Sequence, residues 1–278
     1  MSTTLTLLGT AAGPTPKVGR QAPSQVVTFD GAAYLIDCGN GVAPQMVRAG
    51  IPIGDLRAVF LTHQHSDHNA DFGNLFLLGW SQLKNPVHLI GPPPLATMVD
   101  QFFEMHTYDI STRTVSEGRQ QLRAFIKVQE ISSDGVVYED DHVRVTAAIV
   151  HHPPVEPAFG YRFDCADRSI VISGDTTRCD NLIRLARDAD VLVHEAMYTA
   201  GIADRVGAYG AKRLTAHLLE SHTSAEDAGA VAEQAGARML VLSHLFPSDS
   251  SVDDSKWEAA ARSQFGGEIV VGHDLLVI

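Results

Sequence analysis

The sequence predicts an α/β fold, and three observations carry that prediction. Short apolar runs typical of strands alternate along the chain with segments whose apolar residues recur every three or four positions, as on helices. The 278 residues include 45 % hydrophobic and 19 % charged side chains, an ordinary globular balance. Histidine and aspartate residues follow several of the predicted strands directly, and sites in open α/β sheets gather at the carboxyl ends of strands.

The first 50 residues read as three strands and a helix. The segment from Gly9 to Gln21 is rich in Gly and Pro, lacks the Lys-Ser/Thr ending of a P-loop, and is interpreted as a shaped loop near the site. Asp30-Gly31 is a hairpin-turn signal between two of the strands. The predicted elements are strands at 4–8, 26–29 and 33–36 and a helix at 42–49.

The remaining elements continue the alternation. A helix is predicted from Phe72 to about Lys84, and a second one opens at Pro92 and runs to about Tyr108. Residues 111–121 are polar and are interpreted as an exposed connection. Strands are predicted at 87–90, 124–128, 136–138, 143–150, 159–164, 169–173, 190–194 and 239–242, and helices at 178–187 and 225–235, the last with Ser224 as its N-cap.

Composition and charge exclude few classes of protein, but they favour some partners and compartments over others. The formal net charge of −12 argues weakly against a broad nucleic-acid-binding surface. The N-terminus lacks the basic segment of a signal peptide, and no apolar run reaches the length of a membrane span. The three cysteines, Cys38, Cys165 and Cys179, do not imply a disulfide framework. A cytoplasmic protein without membrane contact is therefore expected.

The stretch from Phe60 to Asn74 is the strongest functional signal. A strand-like run ends at Leu61, and helical periodicity returns at Phe72, so the residues between them form a strand-to-helix loop. Three imidazoles and a carboxylate stand in that loop, as His63, His65, Asp67 and His68. These are the ligands that zinc takes where a coordination position stays open for water. The alternative is a solvated polar loop that happens to be rich in histidine.

The motif Thr62-His63-Gln64-His65-Ser66-Asp67-His68 resembles the THxHxDH signature of the metallo-β-lactamase superfamily. The resemblance implies a four-layer αββα sandwich with a metal pair at one edge of two sheets, formed by a single domain over residues 1–278. The segments LGTAAGPTP and LIDCGNG resemble the opening motifs of the tRNase Z and arylsulfatase branch. By that resemblance Asp37 orients a ligand imidazole from behind. Its alternative role, as a cap of the next helix, is compatible.

Two later segments resemble ligand motifs of the family, and a third, at His244, repeats the pattern of a metal-type residue at the carboxyl end of a strand. His152 precedes Gly160-Tyr161-Arg162 at the family's spacing, and its neighbour His151 is expected on the opposite face of the strand. Asp175, in the segment SGDT, resembles the bridging aspartate, with a turn or cap residue as the alternative. His244 follows the strand at 239–242. The implied sets are His63, His65 and His152 for one metal, and Asp67, His68 and His244 for the other, with Asp175 bridging. Two zinc ions are expected, with manganese or iron as alternatives.

The same resemblance supplies the catalytic roles. Glu195, in His194-Glu195-Ala196, is expected to orient His222, which donates a proton to the leaving group or steadies the charged reaction centre. Asp67 counts among both the ligands and the catalytic residues, and a metal-bridging hydroxide is the expected nucleophile. Without the resemblance, His222 reads as a residue at the start of a helix. The other histidines, His88, His106, His142, His151, His217 and His273, are given structural roles.

One departure from the family limits the substrate. Only eleven residues separate Arg162 from Gly174, whereas bacterial tRNase Z enzymes usually carry a long tRNA-binding arm there. With the acidic charge, this favours a small-molecule ester substrate (a sulfate ester, phosphoester or lactone) and makes nucleic acid an unlikely partner. A tRNase Z-like endoribonuclease or phosphodiesterase, and a metal-binding sensor without catalysis, are the alternatives. Residues 76–84, 102–113 and 198–218 are expected to form the pocket walls, the last as a lid or as a contact in a homodimer.

Overall fold

The computed structural model describes residues 2–200, 202, 206, 211–249 and 251–278. Its strands are β1 (Thr4–Gly9), β2 (Ser24–Phe29), β3 (Ala32–Ile36), β4 (Leu56–Phe60), β5 (Val87–Gly91), β6 (Ile126–Glu130), β7 (Gly135–Glu139), β8 (Val143–His152), β9 (Val155–Cys165), β10 (Ser169–Ile172), β11 (Val191–Met197), β12 (Met239–Phe246), β13 (Glu268–Val271) and β14 (Leu276–Val277). Its α-helices are α1 (Val42–Arg48), α2 (Ser66–Asn69), α3 (Phe72–Gly79), α4 (Leu95–Met105), α5 (Thr107–Ser116), α6 (Asp180–Leu185), α7 (Ala211–Ser221), α8 (Ala225–Ala235) and α9 (Asp254–Arg262).

The strands form two mixed sheets. The first has the order β14-β1-β2-β3-β4-β5-β6, and the second has the order β13-β12-β11-β10-β9-β8-β7. In the first sheet the strands from β3 to β6 run parallel, and in the second those from β10 to β13 do. The long β8–β9 hairpin is antiparallel, with His152 paired to Val155 across a Pro153-Pro154 turn.

Three apolar layers hold the fold together. The inner faces of the two sheets meet in an aromatic-rich core that includes Phe60, Phe159, Tyr161 and Phe163. Helices α1, α3 and α4 cover the outer face of the first sheet, and α6, α8 and α9 cover that of the second. Burial of apolar side chains on both faces explains why the central strands read as continuous hydrophobic runs. The α/β class and the four-layer αββα arrangement are therefore confirmed.

Several predicted elements are corrected. Residues 107–116 form α5 rather than an exposed connection, stabilised by the ion pairs Asp109–Arg113 and Arg113–Glu117 and by burial of Ile110. The helix expected to reach Lys84 ends at Gly79 and is followed by a 3₁₀ turn. Strand β8 continues through His152 instead of stopping before it, because the two prolines occupy the hairpin turn and not the ladder. None of the helices in the described part of the chain combines the length and the apolarity that a bilayer span requires.

Candidate metal centre

Seven side chains from four separate stretches converge where the strands end. One group contains His63, His65, His152 and Asp175, and a second contains Asp67, His68, Asp175 and His244. Within each group the candidate ligand atoms all lie within 4.8 Å of one another. Asp175 belongs to both groups, as the sequence predicts for a bridging carboxylate. His151, by contrast, is solvent-exposed and belongs to none of the candidate groups formed by described residues.

Close backbone packing places Asp175. It follows β10 through Gly174, whose φ of 60° favours glycine. A Cβ atom on Gly174 would lie 2.7 Å from the carbonyl oxygen of Phe159 and 3.0 Å from Cβ of Thr62. Only glycine at position 174 therefore allows the carboxylate of Asp175 to lie this close to the loop that follows β4.

A β-bulge places His244. The β11–β12 register pairs Glu195 with Ser243 and Ala196 with Leu245, which leaves His244 as the extra residue of its strand. His244 has a φ of 45°, a conformation that costs a non-glycine residue about 1 kcal/mol or more. Its ring consequently leaves the ladder, and its Nε2 lies 3.4 Å from Oδ2 of Asp67 and 3.3 Å from Oδ2 of Asp175.

The nitrogen lone pairs of the first group face one another. Nδ1 of His65 lies 3.1 Å from Nε2 of His63 and 3.1 Å from Nε2 of His152. Burial lowers the pKa of all three imidazoles, that of His152 to about 4, so they are neutral at physiological pH. Three neutral imidazoles with converging nitrogens satisfy one another poorly by hydrogen bonding, but they fit a divalent cation.

The second group contains two carboxylates, Asp67 and Asp175, whereas the first contains only that of Asp175. Burial opposes ionisation of Asp175, but the surrounding imidazoles, with His244 first among them, hold the pKa of its carboxyl well below the ordinary value. Burial would likewise lower the pKa of His68, but the carboxylates of Asp175, Asp37 and Asp67 raise it. The buried Nε2 of His68 lies 3.3 Å from Oδ2 of Asp175 and makes no hydrogen bond to any described residue. Clustered buried carboxylates and an orphaned imidazole nitrogen fit a bound cation, which would satisfy both.

The ligand imidazoles are held from behind by fixed acceptors. Nδ1 of His68 donates to Oδ2 of Asp37 at 2.8 Å, and Thr62 donates its backbone N–H to the same carboxylate. Nδ1 of His152 donates to the carbonyl of Ser221 at 2.8 Å. Asp37 thus lies where the orienting role requires it. Gly41, not Asp37, occupies the N-cap position of α1, so the alternative role as a helix cap is not the one seen.

His222 and Glu195 form a hydrogen-bonded pair beside the two groups. Nδ1 of His222 lies 2.8 Å from Oε2 of Glu195, whose other oxygen accepts the N–H of Thr176 at 2.6 Å. Burial alone would lower the pKa of His222, but the charge and hydrogen bond of Glu195 raise it to about 9. Ser224 rather than His222 caps α8, and its Oγ accepts the N–H of Asp227. His222 is therefore free of a helix-capping role.

A cavity of about 520 Å³ opens over these residues. Its described lining includes Asp67, Asp175, His222 and His244 on the floor. The walls come from the loop after β1, the end of β11, helix α7 and the end of β12, as Ala12, Gly13, Pro14, Thr15, Lys17, Met197, Leu214, His217, Leu218 and Phe246, and from Val206 between β11 and α7. This volume lies within the range of small-molecule sites.

The walls are only partly those expected from sequence. No residue of 76–84 or 102–113 is among the described lining, and Trp80 is buried with its N–H donated to the carbonyl of Gln120. Much of 198–218, including Tyr209, lies outside the described residues, although the part within α7 does line the cavity. His217 lies within the wall expected at 198–218, and Lys17 lies within the loop at 9–21 that was expected near the site, but sequence reasoning gave neither residue a role in the site.

Comparison with known proteins agrees with this geometry. Residues 3–208 match the family model described as anti-Pycsar protein Apyc1. A Ribonuclease Z of Mycobacterium sp. (strain KMS) is 37 % identical over 274 residues, covering 98 % of this chain and 94 % of that protein. A Ribonuclease Z of Mycobacterium marinum is 34 % identical over 275 residues, covering 98 % and 96 %.

Solved structures share the fold. The metallo-β-lactamase fold protein YhfI of Bacillus subtilis has a TM-score of 0.74 at 21 % identity, with 99 % of this chain and 98 % of that chain covered. The short form of human tRNase Z has a TM-score of 0.73 at 23 % identity, with the same coverage.

Proposed function

The chain is a metal-dependent hydrolase that belongs to the tRNase Z branch of the metallo-β-lactamase superfamily and to the Apyc1 family, and we propose that it hydrolyses a phosphodiester bond in an RNA or nucleotide substrate. The observation that carries the proposal is the 37 % identity to a protein named Ribonuclease Z, which extends over 98 % of the chain. It supports a phosphodiester over the sulfate ester or lactone expected from sequence alone, and a nucleic acid or nucleotide over other partners.

The short connection that stands in place of a tRNA-binding arm does not distinguish this chain from its Ribonuclease Z relatives. The β9–β10 connection is short, from Cys165 to Ser169. The match nevertheless spans 94 % of the relative's own length, which leaves little room there for a long insertion. The acidic net charge is also a weak objection, because bound cations supply local positive charge at the site.

We assign the seven converging side chains to two divalent cations, with zinc as the first candidate and manganese or iron as alternatives. His63, His65 and His152 would hold one cation, Asp67, His68 and His244 the other, and Asp175 would bridge them. When bound, such a pair supplies Lewis acidity towards the phosphoryl oxygen and lowers the pKa of a coordinated water. The chain itself keeps His63, His65 and His152 neutral through burial. It holds the ring of His68 in position through Asp37.

His222 supplies the proton that the departing oxygen needs. Its Nδ1 is engaged by Glu195, so Nε2 is the atom that carries and releases the proton. Because Glu195 stabilises the charged ring, the imidazole is protonated before the bond breaks. Lys17 at the cavity wall contributes a positive charge that attracts phosphate oxygens.

A substrate panel tests this proposal. The zinc- and manganese-loaded proteins are assayed with bis(p-nitrophenyl) phosphate, dinucleotides, cyclic mononucleotides, precursor tRNA, p-nitrophenyl sulfate and a lactone. We expect turnover of phosphodiesters that a chelator abolishes and added metal restores. His222→Ala, which leaves the seven candidate ligands intact, should bind metal normally and turn over slowly. Turnover of only the sulfate or lactone would contradict the phosphodiester assignment, and full activity after exhaustive metal removal would contradict the metal requirement.

A further inference from the structure

Four imidazoles, those of His63, His68, His152 and His244, face the candidate metal centre through Nε2. They differ in whether Nδ1 has a hydrogen-bond partner. Nδ1 of His63 lies 3.0 Å from Oγ1 of Thr62, and His68 and His152 have the Asp37 and Ser221 acceptors already described. Nδ1 of His244 is buried and makes no hydrogen bond to the described protein atoms. An imidazole that offers Nε2 to a cation carries its proton on Nδ1, so this N–H requires an acceptor.

A small cavity lies beside this ring, between the two sheets. It has a volume of about 20 Å³, and its lining includes Gln25 of β2, Ser243 of β12 and His244 itself. Oε1 of Gln25 and Oγ of Ser243 are also buried without a hydrogen-bond partner among the described residues. Three unsatisfied polar groups therefore line one cavity. Roughly 10–15 Å³ is enough to hold one water molecule, which needs two to four polar partners.

We propose that this cavity holds an ordered water that orients His244, and that Gln25 and Ser243 are the positioning residues that fix the water. The water accepts the Nδ1–H of His244 and donates one hydrogen to Oε1 of Gln25. The Ser243 hydroxyl either donates to the water or accepts its second hydrogen, so each group is satisfied. Without the water, burial of three unpaired polar groups would destabilise the fold.

The β-bulge explains why His244 needs a water molecule to accept its Nδ1–H. His63 lies on the loop after β4 and His68 in the short helix α2, not in the loop expected from sequence; Thr62 and Asp37 are within reach of their rings, and His152 lies opposite the backbone of Ser221. His244 is the extra residue of its strand, and no acceptor among the described residues reaches Nδ1 at the back of its ring. A bridge from Gln25 couples the imidazole to the first sheet, whereas its own strand belongs to the second. The inference depends on metal binding at the centre but not on the substrate.

Two variants and a control test the inference. Ser243→Ala removes one hydroxyl, and Gln25→Leu removes the amide at similar size. Gln45→Leu is the matched control, because Gln45 is an equally buried glutamine that donates to the carbonyl of Leu8, outside the cavity lining. Metal dissociation constants are measured by competition with a chromogenic chelator. Thermal unfolding of the metal-free proteins records any folding defect separately.

We expect Ser243→Ala and Gln25→Leu to weaken binding of one of the two cations about 10- to 100-fold, while the other cation and the Gln45→Leu control are unaffected. A crystal structure of the zinc-loaded protein should place a water within hydrogen-bond distance of Nδ1 of His244. The inference is overturned by a dry cavity in that structure, or by two variants that both bind two cations as tightly as the parent protein.

Discussion

Replacing Glu195 with glutamine should change the pH dependence of catalysis more than its maximum. The Glu195 carboxylate raises the pKa of His222 to about 9. The difference from the ordinary imidazole value of 6.5 corresponds to about 3 kcal/mol. Glutamine removes the charge of Glu195, which leaves burial to lower the pKa of His222 and Asp175 to raise it, so we expect this pKa to fall to about 6.5.

The consequence is a pH-dependent loss of activity. If protonated His222 is the acid, activity is present below its pKa and is lost as pH rises through it. At pH 8 the protonated fraction falls from about 0.9 to about 0.03 on substitution, a loss of about 30-fold in kcat. At pH 6 the same substitution lowers that fraction by less than about 1.5-fold. Bound cations lower the pKa of His222 in both the parent protein and Glu195→Gln. The diagnostic quantity is therefore the pH difference between the alkaline limbs of the two pH–activity profiles.

The assay is kcat for a chromogenic phosphodiester between pH 5.5 and 9.5, with metal saturation checked at each pH. Glu226→Gln, in the first turn of α8 and outside the cavity lining, controls for the loss of one negative charge nearby. An equal reduction at every pH, or superimposable profiles for Glu195→Gln and the parent protein, would refute the reasoning that Glu195 sets the protonation of His222.

Three further substitutions have distinct expected results. Asp175→Asn removes the carboxylate shared by both groups; we expect fewer than two bound cations by elemental analysis and kcat lowered by about a thousandfold (about 4 kcal/mol), and two tightly held cations would contradict this. Asp37→Asn should weaken metal binding about 10- to 100-fold in chelator competition, because His68 and Thr62 lose a charged acceptor. Lys17→Met should raise KM for a phosphodiester about tenfold with kcat within about twofold, and an unchanged KM would remove Lys17 from substrate binding.

The local sequence was sufficient for much of the fold and for the residues that converge. Strand ends followed by His or Asp, together with the resemblance of THxHxDH and SGDT to family motifs, predict that His63, Asp175 and His244 converge, and these side chains lie close together in the structure. The reason is physical: a buried strand that ends in a polar group must place that group at the sheet edge. The four-layer arrangement, in contrast, came from the resemblance, because strand order depends on contacts far apart in sequence.

What the sequence did not reveal depends on tertiary contacts. Helix α5 is largely polar, and its ion pairs are visible as such only once the segment is known to be helical. The bulge at His244 follows from a register shift against β11, which the residues of β12 do not encode by themselves. Lys17 and His217 line the cavity because a loop and a helix distant in sequence close over the same floor.

The central claim is that two cations occupy one site built from four separate stretches of chain. Anomalous diffraction from crystals of the zinc-loaded protein, recorded at the zinc edge, tests it most directly. The account predicts two peaks, one within about 2.0–2.2 Å of nitrogens of His63, His65 and His152, the other equally close to Asp67, His68 and His244, with Asp175 between them. Peaks bound by other residues, or no peak at this site, would contradict it.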